Sequence, residues 1–167
     1  MKLISACLLG IRCAWNGSDK YKNDLAIELS RIEPLVPVCP EQLGGLPTPR
    51  ASQEIQDGTG EDVLNNKCRV LNKNGVDVSR EFVRGAEETL KIARQLNISE
   101  FISKSRSPSG GCGRIYDGSF SGRLIDGDGV TTALLRKNGI RIIPEEELAE
   151  ILAMSQFSCK NSWPGCL

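Results

Sequence analysis

The sequence predicts an α/β fold, a three-layer Rossmann-like domain in which a small, mostly parallel sheet is flanked by helices. Two observations predict it. Short β-branched runs alternate with helical stretches along most of the chain, the order in which crossover helices join parallel strands. At 167 residues the chain also suits one domain, long enough to bury a core without disulfide staples.

Residues 2–8 are short and apolar, end at Gly10, and read as a buried strand. Asn23 and Asp24 cap a short helix over 25–32. Leu35-Val36-Pro37-Val38-Cys39-Pro40 is β-branched but carries prolines, so it reads as a short strand ending at the cysteine. Residues 43–66 contain Gly44-Gly45, Pro47, Pro49, Gly58 and Gly60 and show no sustained periodicity. They read as a long loop excursion, which in a compact domain is usually functional or mobile.

Cys68-Arg69-Val70-Leu71 reads as a strand and Asn72-Lys73-Asn74-Gly75 as a turn. The clearest helix opens at Val78-Ser79, with Phe82, Val83, Ala86, Leu90 and Ala93 at helical spacing through Gln95. Phe101-Ile102 begins a strand that runs into a loop rich in glycine and serine, residues 105–122. Residues 129–137 are helical and closed by Gly139, residues 140–143 form a strand, and Pro144-Glu145-Glu146-Glu147 starts a last helix through Met154. The domain is therefore read as residues 1–154. Residues 155–167 are a C-terminal extension in which Cys159 and Cys166 either pair with each other or bind nothing.

Composition excludes several function classes. Lys plus Arg (21) equals Asp plus Glu (21), so no strong field attracts a nucleic-acid polymer or an anionic membrane. The apolar N-terminal run is too short for a signal peptide or a membrane span, and the expected location is cytoplasmic. Seven cysteines in a reducing compartment point to metal or catalysis rather than disulfides. The chain has no histidine, which excludes Ser-His-Asp and Cys-His catalysis and any zinc site built on imidazole. Proton transfer falls to Glu, Asp, Lys, Tyr, Cys or water. No Cys-x-x-Cys pair occurs, against zinc ribbons and thioredoxin-like chemistry.

Cys68 fits a packing role best, and Cys13, in a loop with Arg12 and Trp15, is ambiguous. Cys7, Cys39 and Cys112 each follow or interrupt a strand beside residues that free or restrict the backbone. In parallel sheets ligands collect at the carboxyl ends of strands, where Cys7, Cys39 and the loop 105–122 converge. Three thiolates without histidine suit a soft metal centre, and a cluster with three protein ligands leaves one iron open to substrate. Taken singly, Glu41 reads as a surface carboxylate and Ser107 as a loop-capping hydroxyl. Arg114 with Asp117 reads as an ion pair within the loop, and Asp126-Gly127-Asp128-Gly129 as a turn and helix cap. A rival reading makes residues 107–113 a cradle for phosphate or nucleotide in a small-molecule-binding module without a functional cluster. The loop lacks both the Gly-x-Gly-x-x-Gly order and the Walker lysine-hydroxyl pair.

Several long motifs occur together: Ser5-Ala6-Cys7-Leu8-Leu9-Gly10, then Val38-Cys39-Pro40-Glu41 with Gly44-Gly45-Leu46-Pro47-Thr48-Pro49-Arg50, then Ser107-Pro108-Ser109 through Gly113-Arg114-Ile115-Tyr116-Asp117-Gly118. In this order, across residues 2–148, they resemble a bacterial family long catalogued as a domain of unknown function that includes thiouracil desulfidase. The resemblance implies a desulfidase with a 4Fe-4S cluster held by three motif cysteines, whose unique iron takes sulfur from a thiolated nucleobase without net redox change. Carried onto this chain, it implies Cys7 and Cys39 as ligands, Glu41 as the acid/base residue and Ser107 as the serine that assists at the substrate. Ser109 and Arg114 are the candidate substrate-binding residues of the same motif, and the expected partner is a small thiolated molecule.

One position departs from the pattern. The family usually reads Ser-Pro-Ser-Cys-Gly-x-Gly, whereas this chain has Ser107-Pro108-Ser109-Gly110-Gly111-Cys112-Gly113. Glycine stands where the third ligand is expected, and cysteine follows two places later, up to ~7 Å along an extended chain. Two outcomes are open: Cys112 supplies the third thiolate, or the third ligand is lost.

Overall fold

A computed structural model describes residues 1–161, and side chains as far as residue 156. Its centre is a four-stranded parallel sheet built from β1 (Lys2–Ser5), β2 (Leu35–Val38), β5 (Glu100–Ser103) and β8 (Arg141–Pro144), in the order β2-β1-β5-β8. Side chains alternate across it. Leu3, Phe101 and Ile142 pack on one face with Leu90, Ala93 and Leu135, which come from α4 (Ser79–Gln95) and α5 (Val130–Lys137). Ile4, Ile102 and Ile143 pack on the other with Ala26 and Leu29 of α1 (Asp24–Ile32) and Leu148, Ile151 and Leu152 of α6 (Leu148–Asn161). The result is the three-layer α/β architecture that alternating strands and helices predict.

Local chemistry sets the element ends. The Asn23 side chain accepts the Leu25 N–H at 3.0 Å and starts α1. α4 carries a second apolar flank, where Phe82 and Ala86 join Val78, Ile55, Val63, Val70, Ile115 and Val130 in a further cluster. This cluster anchors two small antiparallel pairs to the domain. One pairs β3 (Gln53–Gln56) with β4 (Arg69–Asn72); the other pairs β6 (Arg114–Tyr116) with β7 (Leu124–Asp126).

The structure revises four local expectations. The first strand stops at Ser5, and Ala6–Leu9 forms a 3-10 turn closed by Gly10 at φ 80°, because an apolar run serves a buried turn as well as a buried strand. Cys7 thus lies just beyond the carboxyl end of β1. The segment 43–66 is not one loop: it holds β3 and α3 (Gly60–Leu64), with Gln53 and Glu54 buried as edge-strand polar residues. The loop 105–122 contains β6 and leads into β7. Glu145–Glu147 form a 3-10 turn, and the last helix starts at Leu148 and continues to Asn161, past Met154. The expectations for the Cys159 and Cys166 side chains and for residues 162–167 lie outside the described residues. Among the described residues, no helix is long and apolar enough to cross a membrane.

Candidate active site

The chain runs from β1 to β2 on one side of the sheet and later to β5 on the other, so the carboxyl ends of β1 and β5 flank a topological switch point. A cleft of about 630 Å³ opens there. Cys7 lines it just past β1, and Lys104, Ser105, Arg106, Ser107 and Pro108 line it past β5. The Ser5 hydroxyl accepts the Lys104 N–H at 3.0 Å and ties the two strand ends together. Trp15, Tyr21, Tyr116 and Phe120 form aromatic walls, with Gln53 and Glu54 as polar groups. The Glu54 carboxylate accepts the Phe120 N–H at 2.9 Å and so positions the far wall.

Ser107 is fixed by its neighbours. Its hydroxyl oxygen accepts the N–H groups of Ser109 (3.1 Å) and Gly110 (3.2 Å), which leaves its own proton to donate elsewhere. The loop beyond it is sewn to the start of α5. Val130 N–H donates to the Pro108 carbonyl and Thr131 N–H to the Ser109 carbonyl, both at 2.9 Å, and the Thr132 hydroxyl donates to the Gly110 carbonyl at 2.8 Å. The first two bonds satisfy unpaired backbone donors of the helix start.

Cys39 caps the short helix α2 (Pro40–Leu43), whose first position suits proline. α2 is held against α4 by backbone contact: a Cβ on Gly44 would overlap the Glu81 carbonyl, and one on Gly85 the Pro40 carbonyl. This crossing places Glu41 beside Arg50, whose Nε donates to Glu41 Oε2 at 2.7 Å while Nη2 donates to the same oxygen. Arg50 Nη1 also donates to the Cys13 carbonyl at 3.1 Å, and the Cys39 thiol donates to that carbonyl at 3.6 Å.

The thiols of Cys7, Cys13 and Cys39 are neighbours, close enough for the Cys13 thiol to feel both others. Its proximity to the Cys39 thiol draws the Cys13 thiol down, but the nearby Cys7 thiol and burial outweigh that and push it up to about 11. Cys39 is pushed far above the ordinary thiol value by the neighbouring Cys13 thiol, by burial and by the Glu41 carboxylate. All three are free cysteines.

Of the sequence candidates only Cys7 and Ser107 line the cleft; Cys39 and Glu41 are not among its lining residues, and the others lie elsewhere. Cys112 Sγ accepts from Arg136 Nη2 at 3.2 Å, and Arg136 Nε donates to Asp128 at 2.9 Å. Burial and Asp128 push the Cys112 thiol up, against Arg136. Ser109 is buried, its hydroxyl 2.8 Å from that of Thr131, and it does not line the cleft. Arg114 pairs with Asp126 at 3.5 Å and also lies off the cleft wall. The loop ion pair expected between Arg114 and Asp117 is therefore corrected: Asp117 pairs with Arg123 at 2.5 Å, because the β6-β7 hairpin sets Arg114 opposite Asp126. Cys68 is half-buried and donates to the Thr59 carbonyl at 3.7 Å.

A family model for 2-thiouracil desulfurase matches residues 3–147. The chain belongs to the 2-thiouracil desulfurase family. Within this family it is 47% identical over 152 residues to the uncharacterized protein YbbK of Bacillus subtilis (strain 168), covering 91% of this chain and all of that one. It is similar in structure to the [4Fe-4S]-dependent thiouracil desulfidase TudS (DUF523Vcz), with a TM-score of 0.76 and 40% identity over 93% of this chain and 97% of that one.

The side chains at the switch point fit such a cluster by their chemistry: three neighbouring free thiols, one of them on the cleft wall, in a chain without imidazole. Among the described residues no three His, Cys, Asp or Glu side chains are set to hold one metal ion. Cluster thiolates bind separate irons, so their spacing differs from that of a mononuclear zinc site. Two functional candidates escaped the motif reading. Cys13 is distinguished only by burial, and Arg50, although inside a quoted motif, is distinguished only by the partners it gathers.

Proposed function

We propose that the protein removes sulfur hydrolytically from a thiolated nucleobase such as 2-thiouracil, with a [4Fe-4S] cluster as cofactor. The observation that carries this reading is that Cys7 and Ser107 line one aromatic cleft, in a chain 40% identical to TudS. Trp15, Tyr21, Tyr116 and Phe120 offer flat faces to a planar heterocycle.

The reaction exchanges sulfur for oxygen at one carbon. Water supplies the oxygen, its two hydrogens leave with sulfur as hydrosulfide and a proton, and no electrons are needed. When bound, the cluster, with Cys7 and Cys39 among its thiolates, supplies a Lewis-acidic iron suited to soft sulfur. Ser107, its oxygen already occupied by two N–H donors, turns its proton toward the heterocycle. Glu41 takes a proton from the attacking water. Arg50 fixes its Oε2, and its Oε1 has no protein hydrogen bond among the described residues. Ser109 serves the substrate by fixing the loop that presents Ser107, and Arg114 by bracing the hairpin that carries Tyr116 into the cleft.

Anaerobic reconstitution with iron and sulfide, followed by incubation with 2-thiouracil, is expected to yield uracil by chromatography. A cluster-loaded protein that leaves both 2-thiouracil and 4-thiouracil unchanged contradicts the proposal.

A further inference from the structure

We propose that Cys13 supplies the third thiolate to the cluster, together with Cys7 and Cys39, and that Cys112 does not. The inference rests on the cluster-dependent reading above and deepens it.

Cys13 sits in the loop between the 3-10 turn after β1 and α1, yet it is only 2% exposed. Its thiol neighbours those of Cys7 and Cys39, and the Cys39 sulfur lies 3.6 Å from its carbonyl oxygen. Its backbone is pinned on both sides. The Cys13 N–H donates to the Ile11 carbonyl at 2.8 Å, and its carbonyl receives both Arg50 and Cys39. A buried thiol beside two others, with its backbone carbonyl held by an arginine, is preorganised for a shared soft-metal group.

Cys112 is held the other way. The Gly111 N–H donates to the Ser107 carbonyl at 2.7 Å, and the Gly129 N–H to the Gly111 carbonyl at 2.8 Å. On its far side, the Gly113 N–H donates to Asp128 at 2.8 Å and the Gly127 N–H to the Gly113 carbonyl at 3.0 Å. Its sulfur is taken by Arg136, and the side chain packs against the core cluster that holds Leu90 and Leu135. Delivering this sulfur to Cys7 breaks bonds on both flanks of one residue. At Gly110 the loop lies against the ends of β1 and β5: an added Cβ would meet the Lys104 carbonyl oxygen at 3.6 Å and the Ser5 hydroxyl at 3.7 Å, ordinary contacts. That position has room for a side chain and carries none.

The test reconstitutes wild type, Cys13→Ser, Cys112→Ser and the double variant Cys13→Ser/Gly110→Cys anaerobically with ferrous iron and sulfide. It reads iron and sulfide per chain, visible absorbance, and folding by circular dichroism. Wild type and Cys112→Ser are expected to hold about four irons per chain. Cys13→Ser should lose most of them while folded, and the double variant should regain them through the new thiol. A folded Cys13→Ser with wild-type iron content, or a Cys112→Ser without iron, overturns the assignment while leaving the cluster reading intact. Should Cys13→Ser fail to fold, Cys112→Ser alone decides: retained iron supports the assignment and lost iron overturns it. A wild type that takes up no iron overturns the cluster reading itself, and the assignment with it.

Discussion

Arg50 grips a single oxygen of Glu41 with two guanidinium nitrogens, and both side chains are largely withdrawn from solvent, at 4% and 13% exposure. The same arginine reaches the Cys13 carbonyl, so one buried cation joins the carboxylate to the thiol cluster. Replacing it by Met leaves the Glu41 carboxylate buried without its partner, and the expected loss is about 3–5 kcal/mol in chemical denaturation. Arg50→Lys keeps the charge but not the fork and should recover only part of it.

Glu41→Gln separates chemistry from assembly. The amide keeps the shape of the carboxylate but cannot take a proton from water. Turnover of 2-thiouracil should fall roughly 10²–10⁴-fold. Iron content and visible absorbance should stay at the wild-type level. Unchanged turnover removes Glu41 from the mechanism.

Ser107→Ala removes a donor to the heterocycle and orphans the N–H groups of Ser109 and Gly110. The expected drop in turnover is roughly 10²–10³-fold, with a stability loss of about 1–3 kcal/mol. Ser107→Thr keeps the hydroxyl, so it should restore stability before it restores turnover. A kcat at the wild-type level in Ser107→Ala contradicts the role.

Gly85 lies far from the cleft in sequence, but it fixes the approach of α4 to α2 and hence the positions of Cys39 and Glu41. Gly85→Ala forces the Pro40 carbonyl away. The expected cost is about 1–3 kcal/mol, seen as a lower melting temperature. Iron uptake should fall with it, because the helix that Cys39 caps is the element displaced.

Acid stability follows from three carboxylates that bind nearby hydroxyls. Asp117 is held down to about 2 by the hydroxyl and N–H of Ser119 and then by Arg123. Asp62 is lowered by Thr59 and Asp77 by Ser79. The folded value of each lies below its ordinary 3.8, so their ionised forms favour the folded state. That contribution is complete above the ordinary value and lost as pH falls through the folded values. In melting curves, Asp117→Asn should flatten the decline of Tm between about pH 4 and 2 and change little at neutral pH.

The parallel sheet and its covering helices were legible because Leu3-Ile4, Phe101-Ile102 and Ile142-Ile143 are strongly apolar and α4 repeats at 3.6 residues. The two antiparallel pairs were not. Gln53-Glu54-Ile55-Gln56 has one aliphatic residue, and its strand character comes from pairing with β4 over the flank of α4. At the site, motif order directed attention to Cys112, which is near the right place in sequence. No local pattern encodes the path of residues 10–17 that buries Cys13 beside Cys7 and Cys39. Nor does the sequence show that Asp117 finds Arg123 rather than Arg114, since hairpin register decides which charges face each other.

The central claim, hydrolytic removal of sulfur without redox change, is tested most directly by turning over 2-thiouracil with the cluster-loaded protein in ¹⁸O-water, with no electron donor present. The account predicts uracil carrying one oxygen from water and one hydrosulfide released for each uracil formed. Sulfur release only when a reductant is supplied, or uracil without the label, would contradict it.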